Sequence, residues 1–189
     1  MEFFYYIIII FAIVLLYFLV TFIVNKLKEN LAFDEIEEFC EKQGYMYQKS
    51  KDNRYDILIT GDTFKMFVAF CKVPTASTVT INSRNTWCLR FGGKRKGKGY
   101  SSKRYLNELN PFLNFNPEKD ASGKEVYKVV VFYPTCEGIL KYINESEIIE
   151  IKPENISFGY KAITYNNLFE MFDGLLMIDK KELANPRNN

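Results

Sequence analysis

Residues Phe3–Val24 read FFYYIIIIFAIVLLYFLVTFIV, 22 residues without a charge, a glycine or a proline. As a helix rising ~1.5 Å per residue, the run spans about 33 Å, enough to cross a hydrocarbon core of about 30 Å. A cleaved signal peptide would place basic residues ahead of a shorter apolar core and a small-residue cleavage pattern behind it. Here only Glu2 precedes the run as a charge, and VTFIVNKLKEN follows. A buried core helix would rarely be apolar on every face. The expectation is a transmembrane anchor over residues 1–25, in contact with the lipid bilayer.

Lysines and arginines near the ends of a span set its orientation. None precedes this one, whereas Lys26 and Lys28 follow at once and Lys42 lies a little further on. That favours a single-pass protein of the cell membrane with its C-terminal domain in the cytoplasm. Residues 26–33 read as a juxtamembrane linker or helix, 34–180 as one domain and 181–189 as a flexible tail.

All 25 basic residues and 22 of the 23 acidic ones lie after the span, for a net charge of about +3 there. A nearly neutral domain can attract a charged partner only through local clustering. The chain has no histidine, which removes histidine general acid/base chemistry, Ser-His and Cys-His dyads and most zinc sites. Cys40, Cys71, Cys88 and Cys136 show no C-x-x-C spacing and read as reduced, buried thiols. The triplets Asn144-Glu145-Ser146 and Asn155-Ile156-Ser157 matter as glycosylation acceptors only outside the cytoplasm.

Along the domain, Asp34–Gln43 reads as a helix with Asp34 as cap, Glu37 three residues on and Gly44 as its stop. A β-rich stretch follows: Tyr45–Tyr47, Tyr55–Ile59 and Phe64–Val73, the last two joined by the hairpin turn Thr60–Thr63. Thr78–Ile81 and Thr86–Phe91 suggest a further strand pair. A helix is expected from about Ser101, with Tyr105, Leu109 and Phe112 on one side, and a short helix over Gly138–Ile143. Val126–Tyr133 is apolar enough for a strand buried on both faces. Ile148–Ile151 reads as a strand and Tyr165–Phe172 as a closing helix. The order predicts an α/β or α+β domain with a central mixed sheet flanked by helices.

Two constellations carry chemistry. The first is Asp56, a carboxylate inside the apolar strand YDILI, where an unpaired charge is costly, together with Lys72 at the end of the next strand. An Asp on the second strand followed by x-x-Lys on the third, behind a leading helix, resembles the PD-(D/E)xK restriction-endonuclease-like superfamily. The resemblance implies a fold in which Asp and Glu of a meander bind Mg²⁺ and Lys orients or activates the attacking water. Asp56 then matches the metal-binding Asp and Lys72 the catalytic Lys. Glu35, Glu37 or Glu38 matches the extra acid that some members place on the leading helix, Glu37 being taken as the second metal ligand. The sequence departs from the pattern two residues before Lys72, where Phe70 replaces the acid, and phenylalanine is no donor to a hard cation. Asp62, nearby in sequence, falls in the turn. A degenerate site follows, with Mg²⁺ relevant only if catalysis survives.

The second is a basic run. Lys94, Arg95, Lys96, Lys98, Lys103 and Arg104 place six cations in eleven residues with no acid among them, interleaved with Gly92, Gly93, Gly97 and Gly99. The glycines let the backbone approach a partner closely, and Tyr100, Tyr105 and Trp87 are candidates for stacking on a base. Phosphate suits such a run, in nucleic acid or in anionic lipid headgroups; the Walker A spacing is absent. The expected function is binding of an anionic partner, nucleic acid foremost. The alternatives are an active Mg²⁺-dependent nuclease and a membrane-bound protein scaffold.

Overall fold

The computed structural model describes residues 2–91, 102–117, 123–143 and 148–176. The chain divides into two compact units, Met1–Gly44 and Tyr45–Asn189. The proposed tail, 181–189, lies outside the described residues.

The first unit is one helix, α1 (Glu2–Gln43). Its stretch from Phe4 onward contains a window apolar and long enough to cross a membrane, none of it buried within the protein. The sequence suggested a new helix beginning at Asp34; instead the helix runs through. No glycine or proline interrupts residues 2–43, so Asp34 meets an uninterrupted ladder of backbone hydrogen bonds that needs no cap. The stop is Gly44, at φ +74°, whose N–H reaches Glu41 O at 3.1 Å.

The second unit is mixed α+β and holds two five-stranded sheets rather than a single central one. Sheet A comprises β1 (Met46–Lys49), β2 (Ile57–Thr60), β3 (Phe64–Lys72), β7 (Glu125–Tyr133) and β10 (Lys161–Thr164), in that spatial order. Its first three strands form an antiparallel meander. Strand β7 then runs parallel to β3 from Phe64↔Glu125 to Lys72↔Tyr133, and β10 runs parallel to β7. The β2–β3 turn closes with Gly61 N–H donating to Phe64 O at 3.0 Å. Glycine is required there, because a Cβ at 61 would lie 2.3 Å from the Phe64 ring. As its composition indicated, β7 is buried on both faces, with Val129–Phe132 wholly enclosed.

Sheet B is ordered β6 (Ser102–Tyr105), β5 (Thr86–Phe91), β4 (Ser77–Ser83), β8 (Gly138–Tyr142) and β9 (Ile148–Glu150). The two sheets share one core. Ala69, Cys71, Val130, Phe132 and Ala162 from sheet A meet Val79, Ile81, Trp87, Leu89 and Ile139 from sheet B. Leu106, Leu109, Phe112 and Leu113 close its side.

Two expected helices are strands. Ser102–Tyr105 pairs with β5, and the helical spacing begins only at Leu106, in a 3₁₀ turn (Asn107–Leu109) followed by α2 (Asn110–Asn114). Gly138–Tyr142 pairs in parallel with β4; a five-residue segment is too short for periodicity to separate strand from helix. The closing helix is split into α3 (Tyr165–Leu168) and α4 (Phe172–Leu176).

Candidate functional site

Asp56 immediately precedes β2. Its N–H donates to Val68 O at 2.9 Å, its carbonyl accepts Ser50 N–H at 2.8 Å, and its Oδ2 accepts the backbone N–H of Phe70 at 2.7 Å. Strand pairing ends at Ile57↔Val68, yet β3 continues to Lys72. The carboxylate therefore serves Phe70 as a backbone acceptor beyond the end of the β2 ladder. That is the local reason an acid interrupts an apolar strand.

Phe70 is half-buried in an aromatic group. Its ring centroid lies 5.8 Å from Tyr133 and 6.0 Å from Tyr165, and those two tyrosines are 5.2 Å apart. Lys72, exposed at the end of β3, lies in register with Tyr133. Asp56 and the Phe70–Lys72 strand end are thus neighbours, but the position that the resemblance assigns to an acid is occupied by packed rings. Asp62 lies in the β2–β3 turn, at the Phe64↔Glu125 end of the sheet and opposite the Lys72↔Tyr133 end. There it lines an open hollow of about 530 Å³ with Lys124, Glu125 and Tyr127.

Glu35, Glu37 and Glu38 are exposed on α1, in the first of the two units. Glu38 meets Lys42 at 2.7 Å, a hydrogen-bonded ion pair that holds its carboxyl below the usual range. Among the described residues no three His, Cys, Asp or Glu side chains form a metal-binding group. With Phe70 in place of the second acid, the residues at this strand end do not fit a two-carboxylate Mg²⁺ site.

The basic run has a defined frame. Strands β5 and β6 form an antiparallel hairpin in register from Cys88↔Tyr105 to Phe91↔Ser102, so the run belongs largely to their connection. Lys94, Arg95, Lys96 and Lys98 lie outside the described residues. Lys103 and Arg104 lie on β6 and point to opposite faces. Arg104 turns to Glu108, Nη2 to Oε1 2.8 Å. Lys103 shares its face with Tyr105 and is directly opposite Arg90, a cation that the sequence reading passed over. The signal was the alternation of β5 itself, which puts Cys88 and Arg90 on one face and Trp87 and Leu89 on the other. The Lys103 ammonium sits 4.6 Å from the Tyr105 ring centroid. A hydrogen bond with Tyr105 raises the Lys103 pKa. Tyr105 is 49% exposed. Trp87, by contrast, is not available for stacking: it is 1% exposed in the core, with its indole N–H donating to Arg84 O at 3.2 Å.

All four cysteines are free and buried. Burial pushes the Cys71 thiol up to about 12 and that of Cys136 up to about 11, which keeps both protonated and poorly nucleophilic. Lys128 of β7 is a buried cation that the sequence reading did not single out. Its Nζ donates to Phe115 O and, at 3.4 Å, to Leu113 O, and it lies 4.4 Å from the Tyr160 ring centroid and 4.9 Å from that of Phe112. Burial among these groups, helped by the Arg84 charge, pushes its pKa down to about 8. Compared with protein-family models, curated proteins and solved structures, this chain matches none.

Proposed function

We propose that this is a single-pass protein of the cell membrane whose C-terminal domain faces the cytoplasm, binds an anionic partner, nucleic acid foremost, and does not cleave it. The observation that carries the reading is the charge on the β5–β6 hairpin. Six cations fall in eleven residues without an acid, on a connection framed by two paired strands. Each phosphate neutralised by such a cation contributes about 0.9 to the slope of log affinity against log salt for duplex DNA.

The test uses the full chain in nanodiscs of zwitterionic lipid, titrated with labelled duplex DNA and RNA over a range of salt. Binding with a steep salt slope is expected. Replacing Lys94, Arg95, Lys96 and Lys98 together with alanine flattens the slope and weakens binding. Unchanged binding in that variant would return the run to a solvated hairpin connection.

The competing enzymatic reading draws on the adjacency of Asp56 to the Phe70–Lys72 strand end. It requires metal-dependent cleavage that disappears in Asp56→Ala and in Lys72→Ala.

A further inference from the structure

We infer that the crevice between the carboxyl ends of β7 and β10 and the start of β8 binds a small organic ammonium ion, held by the carboxylates of Glu137 and Glu150 and by the Thr164 hydroxyl. In sheet B, β9 and β6 are opposite edges, so this site lies apart from the basic hairpin. It takes the opposite charge and stands without the anionic-partner reading.

The topology opens the crevice. Strands β7 and β10 are adjacent and parallel in sheet A. The chain leaving β7 crosses to β8 of sheet B, while the chain leaving β10 turns into α3. Where parallel neighbours send their chains to different sides, a gap opens outside their carboxyl ends, and ligands settle in such gaps. This one has a volume of about 280 Å³ and is lined by Glu137 and Gly138 at the start of β8, Glu150 at the end of β9, Thr164 at the end of β10, and Asn166 and Asn167 of α3. That is many times the space that one water or bare ion needs.

Thr164 and the acids point independently to a ligand. Thr164 is in register with the core residue Phe132, so its side chain faces sheet B, and it is 9% exposed. Its hydroxyl does not cap α3 and has no hydrogen-bond partner among the described residues. A buried hydroxyl without a partner is costly, and the crevice is where a partner can enter. Glu137 and Glu150 are exposed in the same lining, which holds no lysine or arginine. Gly138 leaves room for the Glu150 carboxylate, since a Cβ there would stand 4.0 Å from Oε1. Ionised carboxylates only accept hydrogen bonds, whereas an ammonium brings three N–H donors and no acceptor. A phosphate or carboxylate ligand would be repelled by both acids, and a neutral polyol would leave their charges unmatched. Ile139, Ile151 and Ala162 supply an apolar wall for a short methylene stem.

The experiment is isothermal titration of the full chain in zwitterionic nanodiscs with 1,4-diaminobutane, using empty nanodiscs as background and 1,4-butanediol and Ca²⁺ as parallel ligands. The expected result is saturable binding of the diamine and none of the diol at the same concentrations. Glu137→Gln and Glu150→Gln each weaken it about tenfold, the scale of a lost charge-assisted hydrogen bond. Thr164→Val weakens it severalfold, and Thr164→Ser keeps it. The glutamine variants leave the affinity for DNA unchanged, which separates this site from the basic hairpin. Absence of diamine binding overturns the inference, as does equal affinity in the Glu137→Gln, Glu150→Gln double variant and the unmodified protein. Equal binding of the diol overturns the requirement for charge and the inference with it. Binding of Ca²⁺ that the double variant loses, with no diamine bound, overturns the organic ligand in favour of a metal ion. Unchanged binding in Thr164→Val, with the glutamine variants weakened, overturns the role of Thr164.

Discussion

The carboxylate of Asp56 accepts the backbone N–H of Phe70 at 2.7 Å, across the point where the β2–β3 ladder has ended. An acid that a motif would assign to metal chemistry is here tied to the backbone of the neighbouring strand. The two roles separate experimentally. As a strand anchor, Asp56→Ala leaves a half-buried donor without its charged acceptor and costs about 1–2 kcal/mol. Asp56→Asn, which keeps a carbonyl oxygen, recovers much of the loss. Urea unfolding of the three proteins measures this. DNA and RNA incubated with the unmodified protein and Mg²⁺ or Mn²⁺ are expected to stay intact. Cleavage that vanishes in Asp56→Ala and Lys72→Ala, with unfolding midpoints unchanged, would reverse the assignment.

What the sequence made legible were the features written locally. The apolar helix over Phe3–Val24, the Thr60–Thr63 turn, and strands β3, β5 and β7 all follow from runs of apolar residues and turn residues that lie together in the chain. The second sheet does not, because its strand β8 is defined by a parallel partner, β4, far away in sequence, and no local pattern encodes that pairing. The continuity of α1 past Asp34 was hidden for the opposite reason: a good capping residue signals a helix start only where the helix has one. The same limit applies at the candidate site. The sequence indicated that Asp56 needs a partner, but the partner is the amide of Phe70, which no side-chain motif records. Arg90 was missed because it is separated along the chain from the basic run and joins it only through the hairpin register with Lys103.

Lys128 gives a pH prediction whose sign is fixed by its surroundings. Burial among the rings of Phe112, Phe115 and Tyr160 lowers its pKa to about 8, against about 10.4 for a lysine in the unfolded chain. Below pH 8 the folded protein carries the full cost of a buried ammonium. Between these values the unfolded chain holds a proton that the folded protein lacks, so this group makes stability rise with pH. Lys128→Met removes the effect, and replacing a buried charge by an apolar chain of similar length is expected to be neutral or stabilising at pH 7. Thiols and tyrosines titrate in the same window in both proteins, so the quantity to read is the difference between them. The stability advantage of Lys128→Met is expected to shrink from pH 7 to pH 10. A difference that stays constant over that range would show that Lys128 does not lose its proton there.

The last prediction concerns which side of the membrane the domain occupies. The apolar window in α1 is none of it buried within the protein, and the first cations after it are Lys26 and Lys28. Cationic side chains beside a span tend to be retained on the cytoplasmic side, so under the proposed function the domain beginning at Tyr45 is expected inside the cell. Fusion of a cytoplasm-active reporter to the C-terminus is expected to give signal, and fusion of an export-active reporter none. Glycosylation of Asn155, the acceptor in Asn155-Ile156-Ser157, is expected to be absent, since the enzymes that modify such triplets act outside the cytoplasm. Signal solely from the exported reporter would invert the topology and remove intracellular nucleic acid as the partner. Under the orientation proposed, replacing Lys26 and Lys28 with glutamine weakens the bias and yields a mixture of both topologies.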